Sequence, residues 1–281
     1  MHPIELLRYV ARSEGEGPSR FVPEAAGALA AVGSDPLALV PACRRLLFRH
    51  PEMGPLWWLA ARMLAATNPR AEAGNCADAI TDDPTPRDLA RELPESARVA
   101  VLGWPELAGA GLGRRGDASV LAIDADGGAY GLSRWLGRQP CLIEEVPESG
   151  LGAAVSASDL LILEAWALGH PLAPGRDREP MGRDGEFVAI SGSRAAASVA
   201  RAEGIPVWLV AGVGRVLPDA LWSELEWHFD QAGAPPWERG DEIVPLDLVD
   251  VVIGPGGAAD PAEALGRADC PVVAELLGHF G

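Results

Sequence analysis

From residue 98 onward, short apolar runs separated by helical patterns decide what this chain can fold into. The runs are Val99–Leu102, Val120–Ile123, Leu142–Ile143, Leu160–Leu163, Phe187–Ile190, Val207–Val210 and Val249–Ile253. Between many of them stand helical stretches, namely Glu106–Arg114, Ala129–Leu136, Leu151–Ser156, Arg194–Glu203, Ala220–Asp230 and Pro261–Gly266. Strands alternating with helices predict an α/β domain built on a mostly parallel sheet. The stretch Ser158–Gly214 is its most telling part: strand, polar loop, strand, tight turn, alanine-rich helix, strand. Gly204 and Pro206 are the stop signals of that helix. We read the second half of the stretch as a βαβ crossover feeding the parallel sheet, where ligands sit beyond the carboxyl ends of the strands.

The first 95 residues have a different texture, with no Val/Ile alternation. Amphipathic spacing predicts helices at Ile4–Arg12, Phe21–Val32, Leu37–Arg49 and Pro55–Ala66, with a short one at Arg87–Leu93. Ser34-Asp35-Pro36 is a helix start with proline in the first turn, and Asn68-Pro69 reads as a helix end. The expected organisation is therefore an all-helical domain over 1–95 and a Rossmann-like α/β domain over 96–281. Gly169–Glu186, rich in proline, glycine and charge, is expected to be a solvated insertion, the alternative being a lid over the strand ends.

With 40 acidic against 23 basic residues the formal charge is −17. Such a surface repels phosphate backbones and anionic membranes, which argues against nucleic-acid and membrane-surface partners. Cys43, Cys76, Cys141 and Cys270 form no CxxC pair and are expected as buried free thiols in a reducing, cytoplasmic setting. The histidines lack metal-ligand spacing, so neither a metal nor a cofactor is expected. No apolar run approaches membrane-spanning length. The 9 tryptophans are expected mainly in the core or at an interface.

Three places offer chemistry. Ser191-Gly192-Ser193, followed by Arg194, is a small-residue turn opening a helix; it suits an anion, or equally an ordinary helix cap. Asp124 and Asp126, directly after Val120–Ile123, suit a hydroxyl ligand at a strand end, although Asp-Ala-Asp-Gly-Gly is also a turn sequence. Glu164 closes the run Leu160–Leu163 and is a candidate general base, or a cap or ion-pair partner. Gly109, Gly111 and Gly113 do not form an intact dinucleotide fingerprint. No histidine can be assigned to Ser191 as a catalytic partner.

Taken in order, several motifs resemble the family that joins the regulatory subunits of translation initiation factor 2B with methylthioribose-1-phosphate isomerase and ribose-1,5-bisphosphate isomerase. His50-Pro51, Gly54-Pro55-Leu56-Trp57-Trp58 and Arg62-Met63 are similar to the family's Arg-Pro-Thr…Asn-Leu…Trp…Arg-Met helix. Asp159–Gly169 stands where the strand ending in Gly-Ala-Asp is found. Ile190-Ser191-Gly192-Ser193 with Ala195–Ala200 resembles Asn-Lys-x-Gly-Thr and its alanine-rich helix. Gly204-Ile205-Pro206-Val207 resembles the strand entry that follows, and Pro245–Gly257 the family's late strand. The resemblance implies a helical domain, a Rossmann-like domain and dimerisation through the latter. It also implies a phosphorylated sugar or nucleotide as ligand, with Arg49 and His50 at the position of the Arg-Pro-Thr arginine.

The departures point away from the isomerases. The catalytic aspartate of Gly-Ala-Asp is replaced by Glu164-Ala165-Trp166, and the catalytic cysteine region reads Gly103-Trp104-Pro105-Glu106 without a thiol. The phosphate-site motif becomes Asp124-Ala125-Asp126-Gly127, whose carboxylates repel phosphate. The sequence therefore predicts a catalytically degenerate member acting as a ligand-binding or regulatory homodimer. The alternatives are a sugar-phosphate aldose–ketose isomerase using Glu164, and a structural subunit of a hetero-oligomer.

Overall fold

A computed structural model describes residues 17–33, 35–171, 185–231 and 234–278. Helices α1 (Pro18–Ala30), α2 (Pro36–Arg49), α3 (Gly54–Ala65), α4 (Pro69–Thr81) and α5 (Thr85–Glu92) come first. The α/β part follows: β1 (Arg98–Leu102), α6 (Glu106–Arg115), β2 (Ser119–Asp124), α7 (Ala129–Leu136), β3 (Leu142–Pro147), α8 (Leu151–Ser156) and β4 (Leu160–Glu164). It continues with β5 (Ala167–Gly169), β6 (Glu186–Ile190), α9 (Ser193–Glu203), β7 (Val207–Val210) and α10 (Asp219–Asp230). The last elements are β8 (Asp241–Pro245), β9 (Val251–Gly254), β10 (Gly257–Ala259) and α11 (Pro261–Leu265). The helix expected at Ile4–Arg12, and most of the loop weighed as a lid, lie outside the described residues.

The main sheet runs β10-β9-β7-β4-β1-β2-β3, parallel except for β10. Its strands alternate faces with a period of two, as the pleat requires. Val99, Val101, Val120, Ala122, Leu160 and Ile162 pack on one side with Leu107, Leu112 and Leu132 of α6 and α7. Ala100, Leu102, Leu121, Ile123, Leu161 and Leu163 pack on the other with Val155 of α8 and Ala196, Ala197 and Ala200 of α9. Burial on both faces explains why these strands read as continuous apolar runs in the sequence. Chain order reverses between β1 and β4, which are hydrogen-bonded neighbours. Their carboxyl ends form the switch point at which such sheets hold ligands.

The expected βαβ crossover needs correcting. β6 does not join the parallel sheet; it is the middle strand of a separate antiparallel sheet, β5-β6-β8, pairing with β8 from Glu186↔Pro245 to Ile190↔Asp241. β7 pairs instead directly with β4. Both partners of β6 are hard to see in the sequence, because β5 is three residues long and β8 reads Asp-Glu-Ile-Val-Pro. Asn68-Pro69 likewise starts a helix: the Asn68 side chain accepts from Ala71 N at 3.2 Å and caps α4. The strand expected at Val249–Ile253 begins at Val251, since Asp250 turns its carboxylate to the amide of Val207 at 2.8 Å.

The third hydrophobic cluster holds the helical half to the rest. Phe21, Leu29, Leu46, Trp57, Leu59 and Met63 share it with Ala167, Val188, Leu217, Leu221, Trp222 and Leu276. Apolar burial is continuous across residue 95.

Candidate functional site

At the switch point a cleft of about 60 Å³ opens between the ends of β1 and β4. Gly103 makes the turn after β1 with φ +59°, and a Cβ there would stand 2.7 Å from Ile190 Cδ1 and 3.0 Å from Asp126 Oδ1. Only glycine fits that conformation beside those neighbours. The chain then places Trp104 and Pro105 at the rim and starts α6 at Glu106. Glu164, Trp166, Asp126, Ser193 and Arg215 complete the lining that matters here.

Glu164 is held from two sides. Its Oε2 accepts from the amides of Leu107 and Ala108, each at 2.9 Å, in the first turn of α6. Its Oε1 lies 2.9 Å from Nη2 of Arg215, a guanidinium only 2% exposed. Arg215 also donates through Nη1 to Ala165 O at 2.5 Å. Burial pushes the Glu164 carboxyl above the ordinary range, while Arg215 and the α6 amide pull it back. Glu164 is thus both a cap and an ion-pair partner. Arg215, which the sequence reading missed, sits in a loop after β7 and had no motif around it to mark it.

The other helix starts near the cleft are filled in the same way. Arg194 N, in the first turn of α9, donates to Glu242 Oε1 at 3.0 Å. Ser19 N, in the first turn of α1, donates to Glu106 Oε2 at 3.2 Å. Asp124 Oδ1 receives the Ala129 amide of α7 at 3.4 Å, and Asp126 Oδ1 receives that of Gly128 at 2.8 Å. A helix N-terminus attracts an anion through its free amides and dipole. Here carboxylates of the chain itself supply that anion.

The remaining predicted residues separate. Gly192 takes φ +96° just before α9. Ser191 donates its hydroxyl to Arg239 O at 2.7 Å and its amide to Gly240 O at 2.8 Å, tying the turn to the segment before β8. The Arg194 guanidinium donates to Ile243 O at 2.9 Å and does not line the cleft. Ser193 does line it, fully buried, and its Oγ has no hydrogen-bond partner among the described residues. Arg49 lines a second, wider groove with Arg45, Glu52, His228, Arg239 and Asp241. His50 packs beneath, its ring 4.6 Å from that of Phe21 and its Nδ1 3.7 Å from Glu52 Oε1. Asp241 links the two hollows: burial, with the negative charges of Glu52 and Asp126, pushes its carboxyl up to about 7 against the opposing pull of Trp166.

No family profile matches the sequence, and no curated protein matches it either. Solved structures do. The translation initiation factor eIF-2B of Pyrococcus horikoshii OT3 superposes with a TM-score of 0.75 at 15% identity, over 94% of this chain and 98% of that one. For eIF2B beta from Chaetomium thermophilum the TM-score is 0.70 at 17% identity, over 99% and 94%. A chain of the tetrameric eIF2B-beta2-delta2 complex from C. thermophilum gives 0.67 at 18%, over 94% and 92%. The fold is that of the eIF2B subunits. The resemblance read from the motifs thus holds for the architecture, helical half and mostly parallel sheet alike. Within this eIF2B fold, no group of three or more His, Cys, Asp or Glu suited to a metal ion occurs among the described residues. No described helix is long and apolar enough to cross a membrane.

Proposed function

We propose that this chain is a non-catalytic protein of the eIF2B fold that acts as a regulatory, ligand-responsive dimer through its α/β domain (96–281), with the helical domain (1–95) packed over the site. One observation carries the reading. The helix N-termini that would hold a phosphate are occupied by Glu164, Glu242 and Glu106. A phosphate entering there would have to displace a carboxylate and, at α6, leave Arg215 buried without its partner.

Thiol chemistry has no better footing. Cys141 stands at the amino end of β3, the end of the sheet opposite the cleft, and gives its Sγ to Leu112 O at 3.2 Å. The dimer rests on an analogy: one structure of this fold is a tetrameric beta2-delta2 complex, and subunits of this shape assemble. The rival reading, an aldose–ketose isomerase, draws on the raised carboxyl of Glu164, which could carry a proton.

The test is an assay of the full chain with ribose 1,5-bisphosphate and methylthioribose 1-phosphate, followed by ³¹P NMR, alongside light scattering at micromolar concentration. We expect no conversion and a dimer mass. Conversion that disappears in Glu164→Gln would establish the isomerase instead, and a monomer mass would remove the dimer.

A further inference from the structure

Resting on the non-catalytic reading, we infer that the switch-point cleft binds a small organic cation, an alkylammonium carrying one hydrogen-bonding group, in place of a phosphate. The first support is charge. Glu106, Glu164 and Asp126 line the cleft against a single guanidinium, Arg215; the Arg215–Glu164 pair cancels, which leaves Glu106 and Asp126 as its net charge. The arginines of the neighbouring groove, Arg45, Arg49 and Arg239, do not line the cleft.

The second support is the wall. Trp104 and Trp166 both line the cleft, and an indole face attracts a cation through its quadrupole. Trp104 is seated by a glycine: a Cβ at Gly131 of α7 would fall 2.2 Å from the Trp104 ring, so the indole lies directly on the helix backbone. Trp104 as a residue remains 46% exposed in that seat, an unusual outlay of surface for an aromatic residue that packs so closely.

The third support is independent of both. The Ser193 hydroxyl is fully buried, lines the cleft and lacks a partner among the described residues. A buried hydroxyl left unpaired is costly, and a ligand bearing one hydroxyl or amide would satisfy it. Carboxylates, indoles and one unpaired hydroxyl together describe a hydroxylated ammonium ion.

The experiment is isothermal titration of the full chain with choline, with its neutral isostere 3,3-dimethyl-1-butanol and with inorganic phosphate, at low and at physiological salt. We expect saturable choline binding, at least about tenfold weaker binding of the alcohol, and none of phosphate. Asp126→Asn and Trp104→Ala should each weaken choline roughly tenfold without lowering the melting temperature of the free protein. Should Trp104→Ala fold poorly, Trp104→Leu keeps the volume and removes the quadrupole. Equal binding of choline and the alcohol, tighter binding of phosphate, no binding of choline, or indifference to both substitutions overturns the inference. Turnover of a sugar phosphate by a chain that also binds choline would overturn only the non-catalytic reading.

Discussion

The carboxylate of Glu164 and the guanidinium of Arg215 meet at 2.9 Å beyond the end of β4, with side chains 10% and 2% exposed. Each is the other's main compensation for leaving water. Removing one partner of a buried pair costs roughly 3–5 kcal/mol, because it strands the other charge. Glu164→Gln and Arg215→Met are therefore each expected to lose about that much stability in urea unfolding at pH 7. The double variant should recover much of the loss, since the pair itself contributes little beyond cancelling its own desolvation. Strictly additive losses would mean that the two groups do not depend on each other.

Asp241 predicts an inverse pH dependence. Its folded-state carboxyl titrates at about 7, against about 3.9 when unfolded. Between those values the native state holds a proton that the unfolded chain has released, so this group makes stability fall as pH rises from about 4 to 7. Asn imitates the protonated form. Asp241→Asn should raise the unfolding free energy at pH 8 by up to about 4 kcal/mol and change nothing at pH 4. Denaturation curves of both proteins across that range check it, and a difference that does not grow with pH would contradict the burial of Asp241 and its crowding with Glu52 and Asp126.

The contrast between what the residues announced and what they hid is physical. β1, β2, β4 and β7 are buried on both faces, and such strands leave apolar runs that a reader can find. β8 has only Val244 buried among its five residues, so its pattern is diluted by Asp241, Glu242 and Pro245. With β8 hidden in this way, the apolar run of β6 reads as one more strand of the parallel sheet, although it pairs antiparallel with β8. Glu164, Asp126 and Ser193 were legible as candidates because strand ends and helix starts mark them, and all three line the cleft. Arg215 was not, since its role comes from a contact with Glu164 across 51 positions of chain, and no local pattern encodes such a contact.

The thiols should be inert in the native state. Burial pushes Cys43, Cys76 and Cys270 up to about 12 and raises Cys141 as well. A thiol at about 12 is thiolate in only about one part in ten thousand at pH 8, and thiolate is the reactive form. Ellman's reagent is expected to react fully in 6 M guanidinium and to lag by orders of magnitude in buffer. Rapid labelling of the native protein would show that at least one of the four is open to solvent and ionised.

Gly54 tests how the helical half is fastened to the sheets. It opens α3, its amide donates to Trp166 O at 3.0 Å, and a Cβ there would sit 2.8 Å from that oxygen and 3.0 Å from Ala167 Cβ. Both neighbours are constrained: Trp166 N is bonded to Val188 O at 2.8 Å, and Ala167 is paired with Val188 in β5. Nothing flexible can yield, so the added methyl must push α3 away from β5. Gly54→Ala is expected to cost about 1–3 kcal/mol through this overpacking, although alanine favours a helix intrinsically. The shift should also reach the cleft, because Trp166 stands in both places. We therefore expect weakened choline binding in Gly54→Ala together with the lower melting temperature. Unchanged stability would mean that α3 and β5 are less tightly apposed than these distances require.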